Sequence, residues 1–212
     1  MNFLKNTYYA YSKALPKKIC EEIIKEGESK DLKLSSTFKE TLKKNRKDYR
    51  SINSLKIRNS KNSWLYPFWI YKELKPYIEA SNKLSGWNFD YNIIENFQFT
   101  KYEGNQKQHY TWHSDNATPD ETNQQVRKLS TIIMLSDPKK FKGGDLEFYE
   151  YSPPKSKNKI LKTDHLKHQG TIITFPSFVI HRVLPVTEGT RHSLVVWHKG
   201  PPLKWKLIFL KH

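Results

Sequence analysis

Apolar positions along the chain recur at two different periods, and the change falls near Gly86. Before it, Leu15, Ile19 and Ile23 return every four residues, which predicts a helix over 15–29 with Pro16 at its first position and Gly27 near its stop. Residues 30–63 are polar, rich in lysine and weakly patterned, and read as loops with short strands. Ser63 offers an N-cap for a second helix, with Pro67 in its first turn and Ile70, Tyr71, Leu74 and Ile78 on one side. Pro76 predicts a kink or a split in that helix. The aromatic cluster Trp64, Phe68 and Trp69 reads as core packing.

After Gly86 the period drops to two. Phe97 and Phe99 alternate with Asn96, Gln98 and Thr100, and β-rich runs follow over 129–135, 146–149, 171–175, 178–184 and 193–197. Asp137-Pro138, Gly143-Gly144, Pro153-Pro154, Pro176-Ser177 and Glu188-Gly189 supply the turn signals between them. Many short strands with regular turns indicate a sandwich or jelly roll. The expectation is an α+β, mainly β chain of one domain over 1–212. Residues 1–90 form a mainly helical, basic N-terminal part whose helices pack on a β core over 91–212.

Composition narrows the class. The 212 residues include 6 Trp, 12 Tyr and 11 Phe, enough aromatic volume to fill a core and to exclude global disorder. No apolar run approaches the roughly 18–20 residues that span a bilayer, so no membrane partner is expected. Residues 1–15 contain no apolar signal-like core, and Cys20 is the only cysteine, which excludes an internal disulfide or a thiolate metal cluster. A cytoplasmic protein is the expectation. The net charge of +16 suggests an anionic partner, nucleic acid among the candidates. Residues 1–63 hold 16 basic and 7 acidic side chains and residues 91–212 hold 18 and 11, so the excess is spread over both ends. Only 6 of the 37 cations are Arg, the residue suited to bidentate phosphate contact.

Candidate chemistry centres on the histidines. His113 and Asp115 are two apart, so in a strand both side chains face one side. A lone His-x-Asp is common, and a metal needs a third ligand. His181, in a later β run, is the best candidate. Two His and one carboxylate on one face of an octahedron suit non-haem Fe(II) and leave three positions for a chelating co-substrate and O2. His109 shares strand parity with His113 but lies about 13 Å along it, too far for one metal. His165 and His168 sit in a polar, lysine-flanked loop and read as solvated. Arg191 follows the turn over 185–189 and opens the next strand, where its guanidinium would aim into the barrel mouth. Buried there it needs an anion, and a dicarboxylate chelating the metal by its other end would supply one. The alternative for Arg191 is a surface pair with Glu188.

The run Tyr102, Gly104, Tyr110, Trp112, His113, Ser114 and Asp115 resembles the iron-binding stretch of 2-oxoglutarate/Fe(II) oxygenases of the prolyl 4-hydroxylase type. So do residues 129–135 leading through Asp137-Pro138 to Gly143, Gly144, Asp145 and Leu146, and residues 170–176 followed by His181 through Arg191 to Trp197. The resemblance covers about residues 82–201. It implies a double-stranded β-helix (jelly roll) with Fe(II) on His113, Asp115 and His181. Arg191 would pair with the distal carboxylate of 2-oxoglutarate, Tyr102 would hydrogen-bond that co-substrate, and Trp197 would lie behind it. Some relatives carry a Tyr hydroxyl at the position of Met134, and here Ser130 or Thr131 is the replacement candidate. Gly143-Gly144 reads as a hairpin turn.

The implied reaction oxidatively decarboxylates 2-oxoglutarate to succinate and CO2 with O2 and hydroxylates an unactivated C–H, with ascorbate as a candidate reductant. A prolyl residue of a peptide or protein is the favoured substrate, covered by segments 116–125 and 153–162. The rivals are an oxygenase acting on nucleic acid and a non-catalytic metal- or ligand-binding β-sandwich. The oligomeric state and the role of basic residues 1–63 have no sequence signal.

Overall fold

The structure, a computed structural model, describes residues 4, 6–35, 57–66, 68–116, 125–150 and 159–202. Pro67, the Pro153-Pro154 turn, most of the two candidate covering segments and His212 lie outside the described residues. Strands β1 (Tyr9–Tyr11), β2 (Lys33–Leu34), β3 (Arg58–Asn59), β4 (Lys61–Leu65), β5 (Ile93–Ile94), β6 (Phe97–Glu103) and β7 (His109–His113) form the first half of the described set. The second half is β8 (Val126–Met134), β9 (Phe141–Gly143), β10 (Leu146–Glu150), β11 (Lys159–Lys162), β12 (Ile172–Pro176), β13 (His181–Val183) and β14 (Val186–Gly200). The larger sheet runs β1-β12-β8-β14-β6-β4-β2, with β5 and β9 also paired to β14, and the smaller runs β11-β10-β13-β7-β3. Neighbouring strands in both sheets are antiparallel.

Period-2 alternation divides the side chains of the larger sheet between two cores. Phe97, Phe99, Leu129, Ile133, Ile172, Leu194 and Val196 face outward onto the helices. Tyr102, Ile132, Met134, Ile173 and Phe175 face inward and meet Leu146, Phe148 and Val183 of the smaller sheet. The result is three layers: helices, large sheet, small sheet. This is the α+β, mainly β jelly roll with N-terminal helices that the sequence pattern anticipates.

Helix α1 (Lys17–Glu28) starts after Pro16 and buries Cys20, Ile23 and Gly27, one side of a helix. Its end is set by Ser29, whose hydroxyl donates to the Glu26 carbonyl at 2.7 Å, rather than by Gly27. Gly27 serves a different purpose, because a Cβ there would lie 2.3 Å from the ring of Phe99. The missing side chain lets α1 settle onto β6, and the Ser63 hydroxyl fastens the contact by donating to the Gly27 carbonyl at 2.9 Å.

Three local expectations are corrected. Ser63 sits in β4, not at a helix N-terminus, and helix α2 (Phe68–Leu84) passes through Pro76 as one element. Pro76 is exposed, as is Lys72, so the carbonyl left without its N–H partner can turn to water. Second, Trp64, Phe68 and Trp69 are not core: they are 43%, 71% and 37% exposed. Helix α2 buries Ile70, Leu74, Ile78 and Ser81, which turns Phe68 and Trp69 outward, while Trp64 has the inward parity of β4 at the cavity rim. Third, Glu188-Gly189 does not separate strands. It lies inside β14, which pairs with β9 over 186–189, with β6 over 190–195 and with β8 over 193–200.

The contact at Gly27 is testable. Gly27→Ala forces a methyl into the Phe99 ring and should cost about 1–3 kcal/mol. A lower urea midpoint with an unchanged slope is expected, and an unaltered midpoint would contradict the packing described.

Candidate metal centre

His113 ends β7 and His181 opens β13, and the two residues are direct partners across that antiparallel pair. Asp115 follows two residues after His113, where its backbone N–H donates to the Ser177 carbonyl at 2.9 Å. That bond turns the chain so that the carboxylate meets both imidazoles. Oδ1 lies 3.8 Å from Nε2 of His113, and Oδ2 lies 3.7 Å from Nε2 of His181. One ligand atom from each residue falls within 4.8 Å of the others.

The tautomers favour ligation. Nδ1 of His113 is 2.8 Å from the Thr111 carbonyl and Nδ1 of His181 is 3.0 Å from the Val179 carbonyl. A carbonyl can only accept, so each Nδ1 carries its proton and each Nε2 presents a lone pair to the cluster. Burial, and then the nearby His181, push the His113 pKa down and keep the ring neutral. Burial works against ionisation of Asp115, but His181, His113, the Trp197 indole and Arg127 together hold its carboxyl below the usual range. Neutral imidazoles and an ionised carboxylate are the protonation states that bind a divalent cation. The donor set fits non-haem Fe(II).

The cluster opens into a cavity of about 330 Å³ between the two sheets, within the usual range for a small-molecule site. Arg191 reaches it from β14 and is 2% exposed. Nη1 donates to the Ser193 hydroxyl at 3.2 Å and Nη2 to the Met134 sulfur at 3.3 Å, while the guanidinium carbon lies 5.3 Å from the centre of the Tyr102 ring. Among the described residues no carboxylate comes within ion-pair distance of it. Glu188, the surface alternative, pairs instead with Lys142 at 2.8 Å. Gly144 leaves room for the arginine, since a Cβ there would meet Cδ of Arg191 at 2.7 Å. A buried cation without an anion is costly, and an anionic ligand in the cavity removes that cost.

Tyr102 and Trp197 line the same cavity. Trp197 is covered by Arg127 at 3.9 Å, and Arg127 is held by two hydrogen bonds of 2.8 and 2.6 Å to Glu95. Ser130 is not brought to the cavity. It lies opposite Trp197 in the β8–β14 register, but its hydroxyl is shared with that of Ser177 at 3.0 Å. Thr131 has the outward parity and bonds Thr174. The position of Met134 is therefore filled by sulfur, which supports Arg191 directly. His165 and His168 are exposed, and His109 lies outside the cluster.

Sequence reasoning missed Arg58, Gln98 and Ser193, which line the cavity, and took in Tyr110 only as part of the run around His113. Ser193 shares strand parity with Arg191 and was open to discovery on that ground. Arg58 and Gln98 come from strands of different sheets, β3 and β6, and only the packing of the two sheets brings them together.

Residues 97–199 match the model of the 2OG-Fe(II) oxygenase superfamily. A PKHD-type hydroxylase of Hyphomonas neptunium is 33% identical over 90 residues, which are 42% of this chain and 36% of that protein. The match thus spans well under half the length of this curated relative. Among solved structures, a viral collagen prolyl hydroxylase from Paramecium bursaria Chlorella virus-1 superposes with a TM-score of 0.62 at 20% identity, covering 92% of this chain and 97% of that one. A Trichoplax adhaerens prolyl hydroxylase, solved with a peptide fragment of a hypoxia inducible factor, gives 0.61 at 17% identity over 92% and 84%. At these identities the structural likeness is one of fold.

The Glu95–Arg127 pair behind Trp197 predicts a pH effect on stability. Burial raises the Glu95 carboxyl, but Arg127 and Lys199 overcome this and hold it below its ordinary range. A depressed carboxyl stabilises the fold above its unfolded value and stops doing so as pH falls through the folded one. Glu95→Gln should cost about 3 kcal/mol at pH 7 because Arg127 is left without its anion. In urea unfolding, the gap between the two proteins should close below about pH 4. A gap independent of pH would contradict the pair's role.

Proposed function

We propose, from the match of residues 97–199 to the model of the 2OG-Fe(II) oxygenase superfamily, that the protein is a dioxygenase hydroxylating an unactivated C–H of a peptide or protein, most simply at a prolyl residue. One C–H, one O2 and one 2-oxoglutarate give one C–OH, one succinate and one CO2. The observation that carries the reading is the pairing, in one cavity, of two bare imidazole nitrogens and a carboxylate with a buried arginine that has no anion.

Bound Fe(II) supplies the open coordination positions at which 2-oxoglutarate and O2 react. His113, Asp115 and His181 hold it. Their Nδ1–H bonds to backbone carbonyls and the tether from Asp115 to Ser177 keep the three donors convergent. Arg191 binds the distal carboxylate of the co-substrate, and the Ser193 and Met134 contacts fix the plane of its guanidinium. The Tyr102 hydroxyl donates to the co-substrate, and Trp197 closes the wall behind it. Ascorbate is the candidate reductant that restores Fe(II).

A prolyl target draws support from two solved structures of like fold, a viral collagen prolyl hydroxylase and a prolyl hydroxylase in complex with a peptide fragment. No helix among the described residues is long and apolar enough to cross a membrane. The one thiol, Cys20, is buried and unpaired, which suits a reducing compartment, and we assign the protein to the cytoplasm. The +16 charge keeps a second reading, oxidation of nucleic acid, in play. Substrate binding that falls steeply with salt would distinguish it. A non-catalytic binding module is disfavoured, because a decayed site would be expected to have lost at least one of the three ligands or Arg191.

The test is succinate formation from 2-oxoglutarate. His113→Ala and Asp115→Ala should abolish it. Arg191→Ala should raise the KM for 2-oxoglutarate by roughly 30-fold to several-thousand-fold, the loss expected for one partner of a buried charge pair. Turnover unchanged in all three variants would refute the assignment.

A further inference from the structure

Three arginines line the cavity, and two have an evident partner: Arg127 has Glu95, and Arg191 is poised for the co-substrate. Arg58 is the third. It is 8% exposed, and among the described residues no carboxylate lies within ion-pair distance of it. Nε donates to the Ser60 hydroxyl at 3.1 Å and Nη2 to Oε1 of Gln98 at 2.8 Å. Both partners are neutral. Two of five N–H donors are thereby used, and Nη1 has no hydrogen bond among the described residues.

The place of this cation is tied to the metal cluster. Its guanidinium lies 4.5 Å from the centre of the Tyr110 ring, and that ring stacks on His113 at 3.4 Å with 13° between planes. One aromatic ring therefore separates the guanidinium from a candidate iron ligand. A charge so enclosed needs an anion, and no described side chain supplies one.

We propose that Arg58 is a specificity-determining residue: it receives the carboxylate of an acidic side chain flanking the oxidised residue, so the substrate is an acidic peptide. This rests on the oxygenase reading of the same site. Consecutive Cα atoms are about 3.8 Å apart, so an acid one or two positions from the target bridges the thickness of the stack. The net charge of +16 favours approach of such a peptide. A phosphate backbone is the less suited anion, because Arg58 presents one nearly enclosed guanidinium within a small cavity instead of a row of cations along an open groove.

The experiment uses the Fe(II)-loaded full chain, 2-oxoglutarate and an equimolar set of pentapeptides with proline at the centre. The flanking positions are Asp, Glu, Asn, Gln, Lys or Ala, and the readout is mass gain of one oxygen. Asp- and Glu-flanked peptides should be hydroxylated about tenfold or more faster than their amide counterparts. Arg58→Glu should turn the preference towards Lys, and Arg58→Gln should abolish it, which keeps the test alive if the charge reversal fails to fold. A purely structural Arg58, pinning the small sheet to Gln98, would lower all rates together without changing their order.

No acid preference in the wild type overturns the proposal, as does a preference unchanged in either variant. It is equally overturned if no peptide is oxidised, whether or not a single-stranded oligonucleotide is. Calorimetric binding of 2-oxoglutarate in the presence of Fe(II) separates the two levels. If binding is retained without acid preference, only the role of Arg58 is lost. If binding is absent, the oxygenase reading is lost with it.

Discussion

Strand β14 must satisfy two incompatible environments at once, and the alternation of its side chains is what makes that possible. Leu194 and Val196 face the helices and are fully buried. Arg191, Ser193, Val195 and Trp197, one residue out of phase, line the cavity. A slip of one residue against β6 or β8 would bury the polar set under the helices and send the apolar set into the site. Register on this strand is therefore a condition for both the core and the chemistry. It is set on both sides, by β6 through six partners and by β8 through eight.

The smaller sheet contributes a second fixed register, His113 against His181. Buried imidazoles are expensive unless bonded, and here each has a backbone carbonyl contact that also aims it, while the main-chain N–H of Asp115 ties that residue to the Ser177 carbonyl. Several groups that the fold leaves without a matching partner line the cavity: two Nε2 atoms, an arginine without an anion and a second arginine paired only to neutral groups. Away from the cavity some interior polar groups pair with each other, such as Thr131 with Thr174 and Ser130 with Ser177, whereas both ring nitrogens of the buried His198 have no hydrogen-bond partner among the described residues.

Much of this was legible in the chain. The strands around Phe97, Leu129, Leu146 and Ile172 announce themselves by alternation and turn residues. His113, Asp115, His181 and Arg191 could be singled out because few residue types can hold a metal or a buried dicarboxylate. The aromatic cluster at Trp64, Phe68 and Trp69 was misread because a hydrophobic residue reports its preference, not whether a second layer exists to cover it. Ser130 was misjudged because its parity is right while its hydroxyl has a nearer partner in Ser177. Arg58 lay beyond sequence reasoning altogether, since its place depends on β3 joining β7 across some fifty residues of chain.

Everything proposed for the cavity depends on the three ligands and Arg191 forming one functional site. Anaerobic titration of the metal-free protein with Fe(II) and 2-oxoglutarate, watched for the visible charge-transfer band of an iron-chelated 2-oxoacid, addresses it most directly. A saturable band is expected in the wild type and is lost in His181→Ala. A folded wild-type protein that gives no band, or a band that survives in the variant, would contradict it.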